Sequence, residues 1–154
     1  MWVPTGTPSA LLWLVALLQL AGKDGECYCA ERFPDFLKWM PGSKDVLLYD
    51  RYKEFADKLI AEADVICCLD FNAIHRIDAM GDAVLASPAR KILIDHHLHP
   101  EDFCKIIISH PEISSTSELV FRLICRMGYF SDISREGAEC IYTGMYDGYR
   151  RVHL

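Results

Sequence analysis

Short, uninterrupted apolar runs alternate along this chain with stretches where apolar residues recur every three or four positions. Asp64–Asp70 (DVICCLD) is apolar throughout its middle and closes on an acid. Ala89–His97 (ARKILIDHH) repeats that form, and Cys104–Ser109 (CKIIIS) gives another run. Asp45–Asp50 (DVLLYD) predicts a shorter strand after the turn signal Pro41-Gly42-Ser43. Arg51–Ala63 predicts an amphipathic helix with Tyr52, Phe55, Leu59 and Ile60 on one face. Ser114–Gly128 (SSTSELVFRLICRMG) reads as a capped helix, because Ser115 and Glu118 have capping-box spacing and Gly128 suits the stop. Ser134–Tyr146 predicts one more helix.

Apolar strands alternating with amphipathic helices imply an α/β fold, a Rossmann-like parallel sheet with helices on both faces. In such sheets ligands gather beyond the carboxyl ends of the strands. Two of the predicted strands end in chemistry-bearing residues, Asp70 on one and Asp95, His96 and His97 on the other.

Composition adds limits. The chain has 154 residues, of which 51% are hydrophobic and 25% charged, so it can build one domain with a real core. Its net charge of −6 disfavours passive attraction to nucleic-acid backbones and to double-stranded nucleic acid in particular. A phosphate-handling site would therefore need a metal ion or a local basic patch. The seven cysteines lack zinc-finger spacing and lie mostly in core-like runs, which points to reduced thiols and a cytoplasmic location. No stretch after the first 30 or so residues approaches the ~20 apolar residues of a membrane span, so no membrane partner is expected.

Carboxylates and imidazoles on neighbouring strand tips can hold divalent metals, which activate water and neutralise a phosphoryl group. A lone strand-end aspartate serves as readily as a helix cap or ion-pair partner. Asp95 reads as an orienting group for the adjacent histidines. His75, His99, His110 and His153 stand in polar contexts and read as surface residues. Arg76 suits either a phosphate or a surface salt bridge.

The combination CLDFNAIHRI, KILIDHHLHPEDF and SSTSELVFRLI resembles the DHH phosphoesterases over roughly Phe33–Met145. Within them it is similar to the group that degrades very short oligoribonucleotides and dephosphorylates 3′-phosphoadenosine 5′-phosphate. The resemblance implies two Mn²⁺ ions, a short RNA or nucleotide substrate, and a smaller DHH-associated domain after the catalytic one, which this chain is expected to lack. It assigns metal binding to Asp70 and His96, a place at the substrate phosphate to His97, and support of the pair to Asp95. Manganese pyrophosphatases share the D-H-H strand end and stand as an alternative.

Both ends depart from the family pattern. The first motif, H-x-x-P-D-G-D-A, is expected where the chain reads VPTGTPSALL, with Thr5 and Thr7 in place of two acids. The fourth, T-G-M-x-T-D-T-G-G-F, is expected where it reads TGMYDGYRRVHL, with Asp147, the remaining candidate metal ligand, near the acid's place. Codons chosen for MYDGYRRVHL, ATG TAT GAC GGA TAC CGG CGG GTT CAC TTA, give Met-Thr-Asp-Thr-Gly-Gly-Phe-Thr when read one base out of frame. MWVPTGTPSALLW can likewise encode His-Val-Gly-Pro-Asp-Gly-Asp-Ala, and KDGECYCAER can encode Lys-Met-Val-Asn-Val-Ile-Val-Pro-Asn-Asp. The reading is therefore a mistranslated segment over 1–32, a DHH domain over 33–145 and a shifted tail over 146–154. The apolar run Ala10–Ala21 has no basic residue before it and reads as part of the shifted segment, with a secretory signal as the minority reading. With ligands missing, the chain is expected to be an inactive member of an enzyme family; a decayed or misread non-catalytic fragment is the alternative.

Overall fold

The computed structural model describes residues 2–5, 28–29 and 35–153. Among the described residues six strands form one sheet: β1 (Trp2–Thr5), β2 (Tyr28–Cys29), β3 (Leu47–Leu48), β4 (Val65–Leu69), β5 (Arg90–Asp95) and β6 (Ile106–Ser109). Every pairing is parallel, and the spatial order is β3-β2-β1-β4-β5-β6. The order reverses between β1 and β4. At such a switch point successive connections diverge to opposite sides and leave a crevice beyond the strand ends.

Strand alternation sorts the core into two layers. Ile66 and Cys68 of β4 and Leu93 of β5 enter one apolar cluster with Ala56, Ile60, Met80 and Val84. These last four belong to α1 (Lys53–Glu62) and α2 (Met80–Ala86), which cover that face. Cys67 and Leu69 of β4 and Ile94 of β5 face the other way, toward Leu119, Val120, Ile124, Cys140 and Ile141. That layer is made by α3 (Thr116–Arg126) and α4 (Arg135–His153). The expected α/β sheet with helices on both faces is thus the observed one.

The local expectations hold unevenly. The strand expected over Asp45–Asp50 is two residues long and gives way to a 3-10 turn, Tyr49–Arg51. Tyr49 is fully buried there, and its hydroxyl donates to Asp57 Oδ1 at 2.5 Å while Lys53 Nζ donates to it at 2.9 Å. Those bonds draw the chain into α1 early. On α1 the buried face is Ala56 and Ile60, with Leu59 at its margin. Tyr52 and Phe55 instead stay about half exposed, because the small Ala56 sits between helix and sheet. No helix was expected where α2 lies. The last helix runs past Tyr146 to His153, through the segment read as a frame-shifted tail.

The cap of α3 forms as the spacing predicts: Ser115 Oγ accepts the Glu118 N–H at 3.2 Å. The reciprocal half differs, since the Glu118 carboxylate accepts from Ser114 Oγ at 3.0 Å and from Arg122. Gly128 ends the helix at φ +86°, in the left-handed region that suits glycine. Cys67, Cys104 and Cys140 are buried free thiols, Cys125 is partly buried, and Cys68 is fully buried. Burial pushes the Cys67 thiol up to about 12, which keeps it protonated and unreactive. Thr7 and the run Ala10–Ala21 lie outside the described residues.

α3 and α4 meet closely at the end nearest the strand tips. A Cβ on Gly148 would stand 2.4 Å from Ser115 Cβ and 2.9 Å from the Ser114 carbonyl oxygen. Both are backbone or next to it, so neither can swing aside. Gly148→Ala is expected to lose about 1–2 kcal/mol of stability in urea unfolding, overpacking outweighing the helix-propensity gain of roughly 1 kcal/mol. Equal or greater stability in the variant would contradict this packing.

Candidate metal centre

Asp70 is the first residue beyond β4, and its backbone takes φ +63°. A left-handed aspartate is tolerated more readily than most side chains, yet it costs on the order of 1 kcal/mol. Its N–H donates to the Ile94 carbonyl at 3.1 Å, continuing the β4–β5 ladder by one bond. The turn thereby aims the carboxylate sideways, over the tip of β5. There Oδ1 accepts the Thr116 hydroxyl at 2.7 Å and lies 3.5 Å from His96 Nε2. Burial raises the Asp70 pKa, opposed by the Thr116 hydrogen bond and by His96 and His97.

The two histidines are held through their Nδ1 atoms. His96 Nδ1 lies 3.1 Å from the Ile113 carbonyl, an acceptor, so Nδ1 carries a proton and Nε2 is the atom that faces Asp70. His97 is gripped twice by Asp95: its backbone N–H donates to Oδ2 at 2.7 Å and its ring Nδ1 to Oδ1 at 2.8 Å. Asp95 is fully buried and acts through the imidazole it orients. The rings of His96 and His97 stand 4.7 Å apart at 58°.

One ligating atom each from Asp70, His96 and His97 lies within 4.8 Å of the other two. A carboxylate with two imidazoles is a donor set suited to a divalent transition metal, and both rings keep Nε2 available. The residues therefore fit such an ion. Asp95, expected to orient the adjacent histidines, lies buried with both carboxylate oxygens on His97. Asp147 does not join the group: it lies on α4, one residue before the Gly148 contact with Ser115. Helical backbone continues through Tyr146 and Asp147 to His153. Thr5 ends β1 opposite Cys68, so β1 and β4 finish at the same edge of the sheet.

The remaining histidines lie elsewhere. His75 is 3.8 Å from Glu101, His110 pairs with Glu112 at 2.8 Å, and His153 closes α4. His99 takes φ +60° in the loop after β5. Arg76, on the 3-10 turn Ile74–Ile77, is exposed and close enough for its charge to act on His97.

Two residues of the site were not anticipated from sequence. Thr116 was visible only as part of the S-S-T-S cap. Asn72 is buried and donates from Nδ2 to the Leu98 carbonyl, while its own carbonyl accepts the Glu101 N–H at 2.8 Å. Glu101 Oε2 in turn accepts the Ile74 N–H at 2.9 Å. These three bonds join the loop after β4 to the loop after β5.

The fold and site together define a doubly wound parallel α/β domain with an Asp-His-His group at the tips of two neighbouring strands. The DHH family, N-terminal domain, matches residues 6–145, and the chain belongs to that family. The crystal structure of an exopolyphosphatase-related protein from Bacteroides fragilis is 64% identical, with a TM-score of 0.94 over 99% of this chain. This chain spans 47% of that protein's length. No curated protein matches it. Among the described residues no helix is long and apolar enough to cross a membrane.

The Asp95 hydrogen bond raises the His97 pKa above its ordinary 6.5, helped by the charges of Asp95 and Asp70 and opposed by burial and Arg76. A raised folded-state value adds stability that is complete below the unfolded pKa and fades as pH rises through the folded one. With His97 about a third exposed, this amounts to less than about 1 kcal/mol. In the metal-free protein, NMR titration should place His97 above 6.5, and Asp95→Asn should bring it down and flatten the stability slope in that window. An unmoved His97 in Asp95→Asn would contradict the geometry.

Proposed function

We propose that the domain descends from a Mn²⁺-dependent phosphoesterase acting on short oligoribonucleotides or a nucleotide 3′,5′-bisphosphate, and that the chain in its present form turns over little or nothing. The observation that carries the reading is the convergence of Asp70, His96 and His97 beyond β4 and β5, beside the switch point of the sheet. Asp70 and His96 would hold the metal, which when bound supplies water activation and charge at the phosphoryl oxygen. His97, kept protonated more readily by Asp95, presents a cationic donor to that oxygen. Arg76 adds a second cation at the rim, and a phosphoryl group gathering negative charge is stabilised by both.

The inactivity has its own support. Among the described residues the group offers one acid and two imidazoles, too few to hold two ions in catalytic geometry. Further acids are expected in the two segments that read correctly only in shifted frames. Both segments reach the appropriate edge: β1 ends beside β4, and Gly148 abuts Ser115, the neighbour of Thr116 and hence of Asp70. We therefore propose that restoring the frames returns the first-motif acids after β1 and a fourth-motif acid at the start of α3.

The name of the Bacteroides fragilis protein favours a second substrate reading, a linear inorganic polyphosphate, for which pyrophosphate is the shortest member. One experiment separates the readings. Sequencing of the encoding DNA fixes the frames; the present chain and the frame-restored protein are then assayed with Mn²⁺ on a diribonucleotide, a nucleotide 3′,5′-bisphosphate, polyphosphate and pyrophosphate. The restored protein is expected to cleave the first two and the present chain to fall below it by at least about 10³-fold. Equal turnover by the present chain would overturn the inactivity, and exclusive cleavage of polyphosphate or pyrophosphate would overturn the substrate.

A further inference from the structure

Resting on the metal-site reading above, we propose that Thr116 is a positioning residue: its hydroxyl fixes the rotation of the Asp70 carboxylate and thereby presents that carboxylate to the metal.

Thr116 is the first residue of α3 and only 2% exposed. Its hydroxyl donates to Asp70 Oδ1 at 2.7 Å, across 46 residues of sequence. The helix has no local use for that hydroxyl, because the capping bond to the Glu118 N–H comes from Ser115. A buried hydroxyl needs an acceptor, and the Asp70 carboxylate is where this one finds it.

The donor is itself immobile. Leu119, Val120 and Ile124 anchor α3 in the core, and Gly148 of α4 closes on Ser115 from the other side. Asp70 is different: it stands at the tip of a strand in a left-handed turn, where its carboxylate could rotate about the terminal torsion. The Thr116 bond selects one rotation, with Oδ1 between the hydroxyl and His96 Nε2, 3.5 Å away. Outer groups that hold a ligating carboxylate commonly contribute 10- to 100-fold in metal affinity. His96 and His97 are already braced by Ile113 and Asp95, so Thr116 supplies the third brace of the Asp-His-His group.

The test is Mn²⁺ binding by the chain itself, followed as loss of the free-ion EPR signal, with thermal unfolding run in parallel. Thr116→Val, which keeps the shape and removes the hydroxyl, is expected to weaken binding by about 10-fold or more, and Thr116→Ser to stay within about threefold of the unaltered chain. In an Asp70→Ala background the Thr116→Val effect should vanish, since the hydroxyl acts through that carboxylate. Thr116→Ala carries the same expectation as Thr116→Val should the latter misfold. Unchanged binding in Thr116→Val, an equal loss in Thr116→Ser, or a loss that persists without Asp70 would each overturn the inference alone. Absence of Mn²⁺ binding by the unaltered chain would overturn the metal reading and the inference with it.

Discussion

The parallel pairing of β4 with β5 is the constraint on which the site depends. Its register sets Leu69 beside Ile94 and lets the Asp70 N–H reach the Ile94 carbonyl. Because side chains alternate along a strand, a slip of one residue would move Cys67, Leu69 and Ile94 to the wrong core layer. The same slip would carry Asp70 away from His96. The two apolar layers thus hold the register, and the register holds the ligands. Sheet burial and metal chemistry are specified by the same few residues.

At the strand tips the balance of forces changes. The fold holds a carboxylate out of water in a left-handed turn, against both solvation and backbone preference. What offsets this is local: a hydroxyl donor from α3, a nearby imidazole and the second histidine. Every ligand-bearing side chain is tied to an oxygen from another element or, for His97, to a fully buried neighbour. Such sites are arranged by the protein before any ion arrives, which is the usual reason for their affinity.

The layered sheet was legible because buried parallel strands are apolar on both faces, and DVICCLD and ARKILIDHH are that kind of run. The convergence of Asp70, His96 and His97, with Asp95 beside them, followed from strand ends and the triplet. Three things were not legible. The face of α1 turned on Ala56, whose small size lets the helix approach, while Phe55 carried the stronger apolar signal. Thr116 reaches Asp70 through tertiary contact, for which a sequence has no period. Asp147 was read from motif spacing, and motif spacing does not foresee that α4 keeps its helical backbone there.

The Asn72 and Glu101 bonds between the two ligand-bearing loops have a mechanical consequence. A loop that carries one ligand usually flexes on its own, and each flexing loop adds ordering entropy when an ion binds. Here the loop after β4 and the loop after β5 share a buried amide and a carboxylate bridge, so the distance between Asp70 and the histidines behaves as one stiff coordinate rather than two soft ones. This side of the site is in effect a rigid claw, its jaws fixed at one spread.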